Sequence, residues 1–150
     1  MMFTEFTNDD LFIARKLFQL EVYKKNGKEF EDFFSKIMRL NNIEFEQVKP
    51  QGRYGDRKND GFIKSSGSYY QVYAPEDATI KEKETIDKLN EDFEGLYNYW
   101  NTNYVAIKEF SFVLNDKYNG GYASLYTELK KIEDKYPSVT CKSFLSQHLE

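Results

Sequence analysis

Apolar positions along this chain change their period several times, and each change marks a predicted element. Thr7 or Asn8 can cap a helix covering about Asp9 to Lys25, with Asp9 and Asp10 favourably placed in its first turn. Gly27 is positioned to end it. From about Lys28 to Leu40 the apolar residues Phe30, Phe33, Phe34, Ile37 and Met38 recur at helical spacing and fall on one face. Asn41-Asn42 breaks that pattern, and Ile43 to Val48 then alternates as a half-buried strand does. Pro50 to Asp56 is a glycine-containing loop. Asp60 to Lys64 and Tyr69 to Tyr73 form two short strands joined by the turn Ser65-Ser66-Gly67, with Pro75 closing the second.

Thr79 and Glu82 stand at capping-box spacing and open a long helix. Its apolar stripe is Ile86, Leu89, Phe93, Leu96, Tyr97 and Trp100. Glu109 to Leu114 is a strand, Asn115 to Gly121 a turn-rich loop, and Tyr122 to Lys135 a helix that buries Leu125, Leu129 and Ile132. Pro137 stops that helix, and Val139 to Lys142 is a last short strand. From residue 28 the order is helix, three strands, helix, strand, helix, strand. Adjacent strands combined with crossover helices imply an α/β fold with a central mixed sheet flanked by helices. The chain is expected to be one domain over 1–150, with 1–26 a helical extension.

Composition narrows the function classes. The 150 residues suffice for a real core, and the mixed charges with abundant aromatics indicate a folded domain. The net charge of -4 gives no global attraction to nucleic acid, so any polyanion binding rests on a local basic patch. With one cysteine, Cys141, and one histidine, His148, neither an internal disulfide nor a Cys/His zinc site can be built. Cys141 is expected to be a small buried residue, and Trp100 a core residue. No apolar run approaches about 18 residues and the N-terminus lacks a signal layout, so the expectation is a cytoplasmic protein with no membrane partner.

Candidate chemistry gathers between residues 55 and 73. Gly55-Asp56-Arg57-Lys58-Asn59-Asp60-Gly61 leads into the first strand of the hairpin, and Gln71-Val72-Tyr73 lies on the second. Gln71 and Tyr73 are two residues apart and share a face. Asp60 starts the neighbouring strand, and Glu31 on the preceding helix is a further acid able to reach the same place. Hard oxygen donors held this closely suit a magnesium ion.

Phe30-Glu31, Gly55-Asp56-x-x-x-Asp60 and Gln71-x-Tyr73 together resemble the restriction-endonuclease-like superfamily, PD-(D/E)xK. The resemblance is to the branches typified by methylated-DNA restriction endonucleases and archaeal Holliday-junction resolvases. It covers about Gly27 to Leu114 and implies an α-β-β-β-α-β core. It also implies a Mg2+ (or Mn2+) dependent endonuclease acting on DNA, with Asp60 as metal ligand, Gln71 at the second ligand position and Glu31 orienting the site. The pattern places a lysine where this chain has Tyr73. A neutral phenol cannot supply that charge. Lys64 or Lys58 would have to bring the cation instead, or the fold persists as a catalytically degenerate module that binds DNA or a partner protein. By analogy the chain would belong to a bacterial anti-phage system, as a homodimer or as a subunit of a larger defence complex.

Simpler explanations stand beside these. Asp, Asn and Gly are the usual turn residues, so Gly55-Asp56 and Asn59-Asp60-Gly61 also fit two turns. Glu29 competes with Glu31, and either also fits a solvated acid at a helix start. Lys49, Arg53, Arg57, Lys58 and Lys64, interleaved with Tyr54, Phe62, Tyr69 and Tyr70, form the local positive segment, and phosphate contacts beside aromatic platforms are what nucleic-acid grooves use. Solvated loops carry such residues too. Finally, the acidic, tyrosine-rich surface also fits a protein-interaction domain unrelated to nucleic acid.

Overall fold

The computed structural model describes residues 5–49, 57–75 and 81–150. Arg53, Asp56 and the Thr79 end of the expected capping box lie outside the described residues. The elements in chain order are α1 (Asn8–Lys24), α2 (Gly27–Asn41), β1 (Phe45–Gln47), β2 (Gly61–Ile63), β3 (Ser68–Tyr73), α3 (Glu82–Asn103), β4 (Glu109–Leu114), α4 (Ala123–Lys135), β5 (Thr140–Phe144) and α5 (Ser146–Leu149). The chain is an α/β protein built on one five-stranded mixed sheet in the order β1-β2-β3-β4-β5. β1 with β2 and β2 with β3 pair antiparallel, and β3 with β4 and β4 with β5 pair parallel. Parallel neighbours need crossovers, which α3 and α4 supply.

Alternation along the strands sorts the core into two layers. Tyr69 of β3 and Phe110, Phe112 and Leu114 of β4 pack against Leu89, Phe93 and Leu96 of α3 and Leu125, Leu129 and Ile132 of α4. The intervening residues Tyr70 and Val113 join Phe45 and Ile63 beneath Phe30, Phe34 and Met38 of α2. Phe34 is in ring contact with Phe45, Tyr70 and Phe144, so one side chain ties α2 to both ends of the sheet. No helix among the described residues is long and apolar enough to cross a membrane.

Several boundaries differ from the sequence expectation for local reasons. Thr7 caps α1, with its hydroxyl accepting from Asp10 N and the Asp10 carboxylate accepting from Thr7 N. Gly27 does not end α1; it opens α2 at a positive φ of 52° and donates its N–H to Ala74 O, stitching α2 to the end of β3. The residue before α3 is Lys81, which makes no side-chain cap. The last strand sits later than expected, at Thr140–Phe144, and a short α5 follows it.

Gly61 faces α2, and Phe45 lies over it so closely that an added Cβ would sit 2.2 Å from Phe45 Cζ. Gly61→Ala should therefore cost about 1–3 kcal/mol of stability through overpacking. Urea unfolding measures this, and an unchanged midpoint would show that Phe45 moves aside freely.

Candidate functional site

The site grows from one misfit in a helix pattern. On α3 the positions Leu89, Phe93 and Leu96 face the core, and Asp92 falls in the same stripe. Its side chain is fully buried. A buried carboxylate requires compensation, and three residues provide it. Gln71 on β3 donates Nε2 to Asp92 Oδ2 at 3.2 Å. Lys88, one turn earlier on α3, places Nζ 3.2 Å from Asp92 Oδ1, and Lys58 places its own Nζ 3.6 Å from the same oxygen. Lys58 also pairs with Glu91 Oε1 at 3.3 Å. Two carboxylates and two ammonium groups thus form a charge-balanced cluster.

Burial pushes the Asp92 carboxyl above the usual carboxylate range, against the opposing pull of Lys88, Gln71 and Lys58. Burial works to lower Lys58, but Asp92 and Glu91 outweigh it and hold the ammonium above its ordinary value.

Lys58 reaches this place because its loop is clamped to α3. Arg57 and Lys58 both adopt left-handed backbone, with φ of 59° and 62°. Non-glycine residues there cost about 1–3 kcal/mol each, so the surroundings must hold them. Trp100 donates Nε1 to Arg57 O at 3.2 Å, and the Arg57 guanidinium lies 4.4 Å from the centre of the Tyr99 ring. Gly95 leaves room for the Lys58 stem, since an added Cβ would meet Lys58 Cγ at 2.9 Å. Glu91, Gly95 and Tyr99 follow one another at single-turn spacing, so one ridge of α3 receives the whole segment.

The other expected residues fall as follows. Asp60 is buried, and its Oδ2 accepts from Val72 N at 2.6 Å. Its main chain links both neighbouring strands, donating to Tyr70 O and accepting from Val48 N. The Asn59 side chain accepts from Gly61 N at 3.1 Å, an Asx turn leading into β2. Asp60 lies one step beyond Gly61, whose partner is Tyr70, so it stands across the hairpin from Gln71. Tyr73 shares the α3 side with Gln71 and stacks on Phe112, ring centres 5.9 Å apart. Burial, then Glu84 and Asp92, push its hydroxyl upward.

Glu31 is on α2, whose buried side packs against the opposite layer of the sheet from Gln71 and Asp92, and it pairs with Lys28 at 3.4 Å. Glu29 is exposed. Lys64 is in the turn between β2 and β3, with its ammonium 5.5 Å from the Tyr104 ring centre, at the other end of the hairpin from Asp60. Lys49 is exposed just past β1. Of the two lysines expected to replace the missing one, Lys58 joins the Gln71 cluster and Lys64 does not.

Among the described residues no group of three or more His, Cys, Asp or Glu is arranged to hold a metal ion. Gln71 Oε1 and Asp92 Oδ1 are buried oxygens that make no hydrogen bond. They are hard donors, but two ammonium groups already face Asp92 Oδ1. A divalent cation there would meet both at contact distance. The cluster therefore does not fit a resident Mg2+ or Mn2+ ion.

The remaining reactive groups are structural. Cys141 is buried, and burial with Glu133 pushes its thiol up to about 12, which suppresses the thiolate. His148 Nδ1 accepts from Leu145 N and so caps α5. Comparison with protein-family models, curated proteins and solved structures gave no match to this chain.

Asp92, Lys88, Gly95 and Tyr99 were not singled out from the sequence. The available signal was an acid inside an apolar stripe, four residues after a lysine. Because the folded-state carboxyl of Asp92 is raised, the native state holds its proton longer than the unfolded chain does. The contribution of Asp92 to stability is then fully present below the ordinary value of 3.8 and is lost as pH rises through the raised one. Relative to Asp92→Asn, the wild type should lose stability between acid and neutral pH in urea melts. A relative gain over that window would show that Lys88, Lys58 and Gln71 outweigh burial.

Proposed function

We propose that this chain is a nucleic-acid-binding module of nuclease-like architecture that holds its target without cutting it. One observation carries the proposal: a basic and aromatic surface runs along the C-terminal half of α3 and the adjoining hairpin. Arg57 stacks on Tyr99 and Lys64 stands over Tyr104. Phe62 and Trp100 fill the space between, with ring centres 5.8 Å apart, and Phe62 meets Tyr104 edge-on at 5.3 Å. Tyr104 is 45% exposed, enough to receive a base. Cations provide the phosphate contacts and ring faces provide sequence-tolerant stacking. A guanidinium has five N–H donors in a rigid fork, so stacking on a ring is compatible with phosphate contact at its edge. The absence of cutting is supported by the Tyr73 ring stacked on Phe112 and by the two lysines facing Asp92.

The test is fluorescence anisotropy with labelled single-stranded and duplex DNA over a salt series. Binding should weaken steeply with salt. Tyr104→Ala should lower affinity by about fivefold or more, as expected when a stacking platform is removed. Arg57→Ala should also reduce the salt slope by about one. Binding that ignores salt, or that is unaffected by both changes, contradicts the proposal.

A second reading, DNA cleavage, is favoured by Asp60 standing across from Gln71 and by the buried Gln71 Oε1, which makes no hydrogen bond. On that reading plasmid DNA is nicked in magnesium or manganese by the wild type and not by Asp60→Ala. Intact plasmid under conditions of demonstrated binding favours the module.

A further inference from the structure

We infer that α1 is a self-association helix, and that its exposed apolar stripe docks antiparallel on α1 of a second copy of this chain. Of the 17 residues of α1, Val22 alone is buried. The second half of the helix is anchored. Phe18 packs on Phe33, Asn115 Nδ2 donates to Val22 O and Lys25 O at 3.1 and 2.8 Å, and Lys117 Nζ donates to Tyr23 O. The side away from the body is not polar. Ile13, Leu17 and Leu20 are 56, 58 and 51% exposed, and Phe6 is 79% exposed. Phe6 and Ala14 line one groove with Ile13 and Leu17, so the patch is continuous. An apolar surface of this kind on a soluble domain marks an interface.

The occupant follows from the charges at the two ends. Asp10, Ile13, Leu17, Leu20 and Lys24 are spaced three, four, three and four, the seam of a two-helix coiled coil. The acids Asp9 and Asp10 lie at one end, and at the other Lys24 and Lys25 outnumber Glu21, which pairs with both. A two-fold axis near Leu17 puts Leu17 against its counterpart, Ile13 against Leu20 of the other copy, and each acidic end against the other copy's Lys24. Antiparallel helix dipoles also attract. A parallel pair would set acid on acid and lysine on lysine. The same charge order suits the dipole of α1 itself, and a two-fold pair adds to it by setting each acidic end against the other copy's basic end and closing on itself. The inference rests on α1 and not on the nucleic-acid reading.

Sedimentation equilibrium on the full chain tests it. The wild type should dimerise, and Leu17→Glu should be monomeric with an unchanged circular dichroism spectrum. Asp9 is outside the capping box, so Asp9→Lys keeps the Thr7–Asp10 cap, and circular dichroism checks the cost of a cation in the first turn. Asp9→Lys and Lys24→Glu should each weaken the dimer by about twofold to fivefold, and the two together should restore it. A wild type that is monomeric up to about 0.1 mM overturns the inference. So does a dimer that survives Leu17→Glu, or a double variant no better than either single one.

Discussion

The burial of Asp92 is the constraint from which the rest of the candidate site follows. A carboxylate in the middle of an apolar helix face cannot stand alone, because an uncompensated charge there costs several kcal/mol. Its three partners come from three places in the chain. Gln71 brings β3, Lys88 brings α3 itself, and Lys58 brings the loop before β2. Satisfying one oxygen pair therefore fixes the hairpin, the crossover helix and the loop relative to one another. The left-handed pair Arg57-Lys58 is part of the cost of that fixation, and the Trp100, Tyr99 and Gly95 contacts on α3 offset it.

The same arrangement shapes what the surface can do. Lys58 turns to Asp92 and Glu91, while Arg57 and Lys64 are each seated on a tyrosine ring. The positive surface is thereby interleaved with aromatic faces rather than spread as bare charge. In a chain of net charge -4, local organisation of this kind is the route that the proposed polyanion binding would take. The packing of Tyr73 on Phe112 completes the α3 side of the hairpin with a hydrophobic contact where the resembled pattern places a cation.

Much of the fold was legible because patterns of period 2 and 3.6 are imposed by burial itself. Phe30, Phe34 and Met38 could lie on one face only in a helix, and Tyr69 and Tyr70 could serve two layers only in a strand. The site was less legible. Asp60 and Gln71 were placed correctly on neighbouring strands, since hairpin register follows from a short turn. Glu31 was expected beside them, but which layer of a sheet a helix covers is not written in its own periodicity. Lys64 was one of the two lysines expected to bring the replacement cation, but the turn Lys64–Ser66 carries it to the far end of the hairpin from Asp60. Asp92 could not be paired with Gln71 from sequence, because contact over twenty-one residues depends on how the crossover helix lies on the sheet.

The central claim is that Lys58 and Lys88 already occupy the space around the buried Gln71–Asp92 pair and leave it no room for a divalent ion. Calorimetric titration of Mg2+ and Mn2+ into the wild-type protein and into Gln71→Ala tests it most directly. The account predicts no stoichiometric binding that depends on Gln71. A one-site isotherm in the wild type that disappears in Gln71→Ala would contradict it.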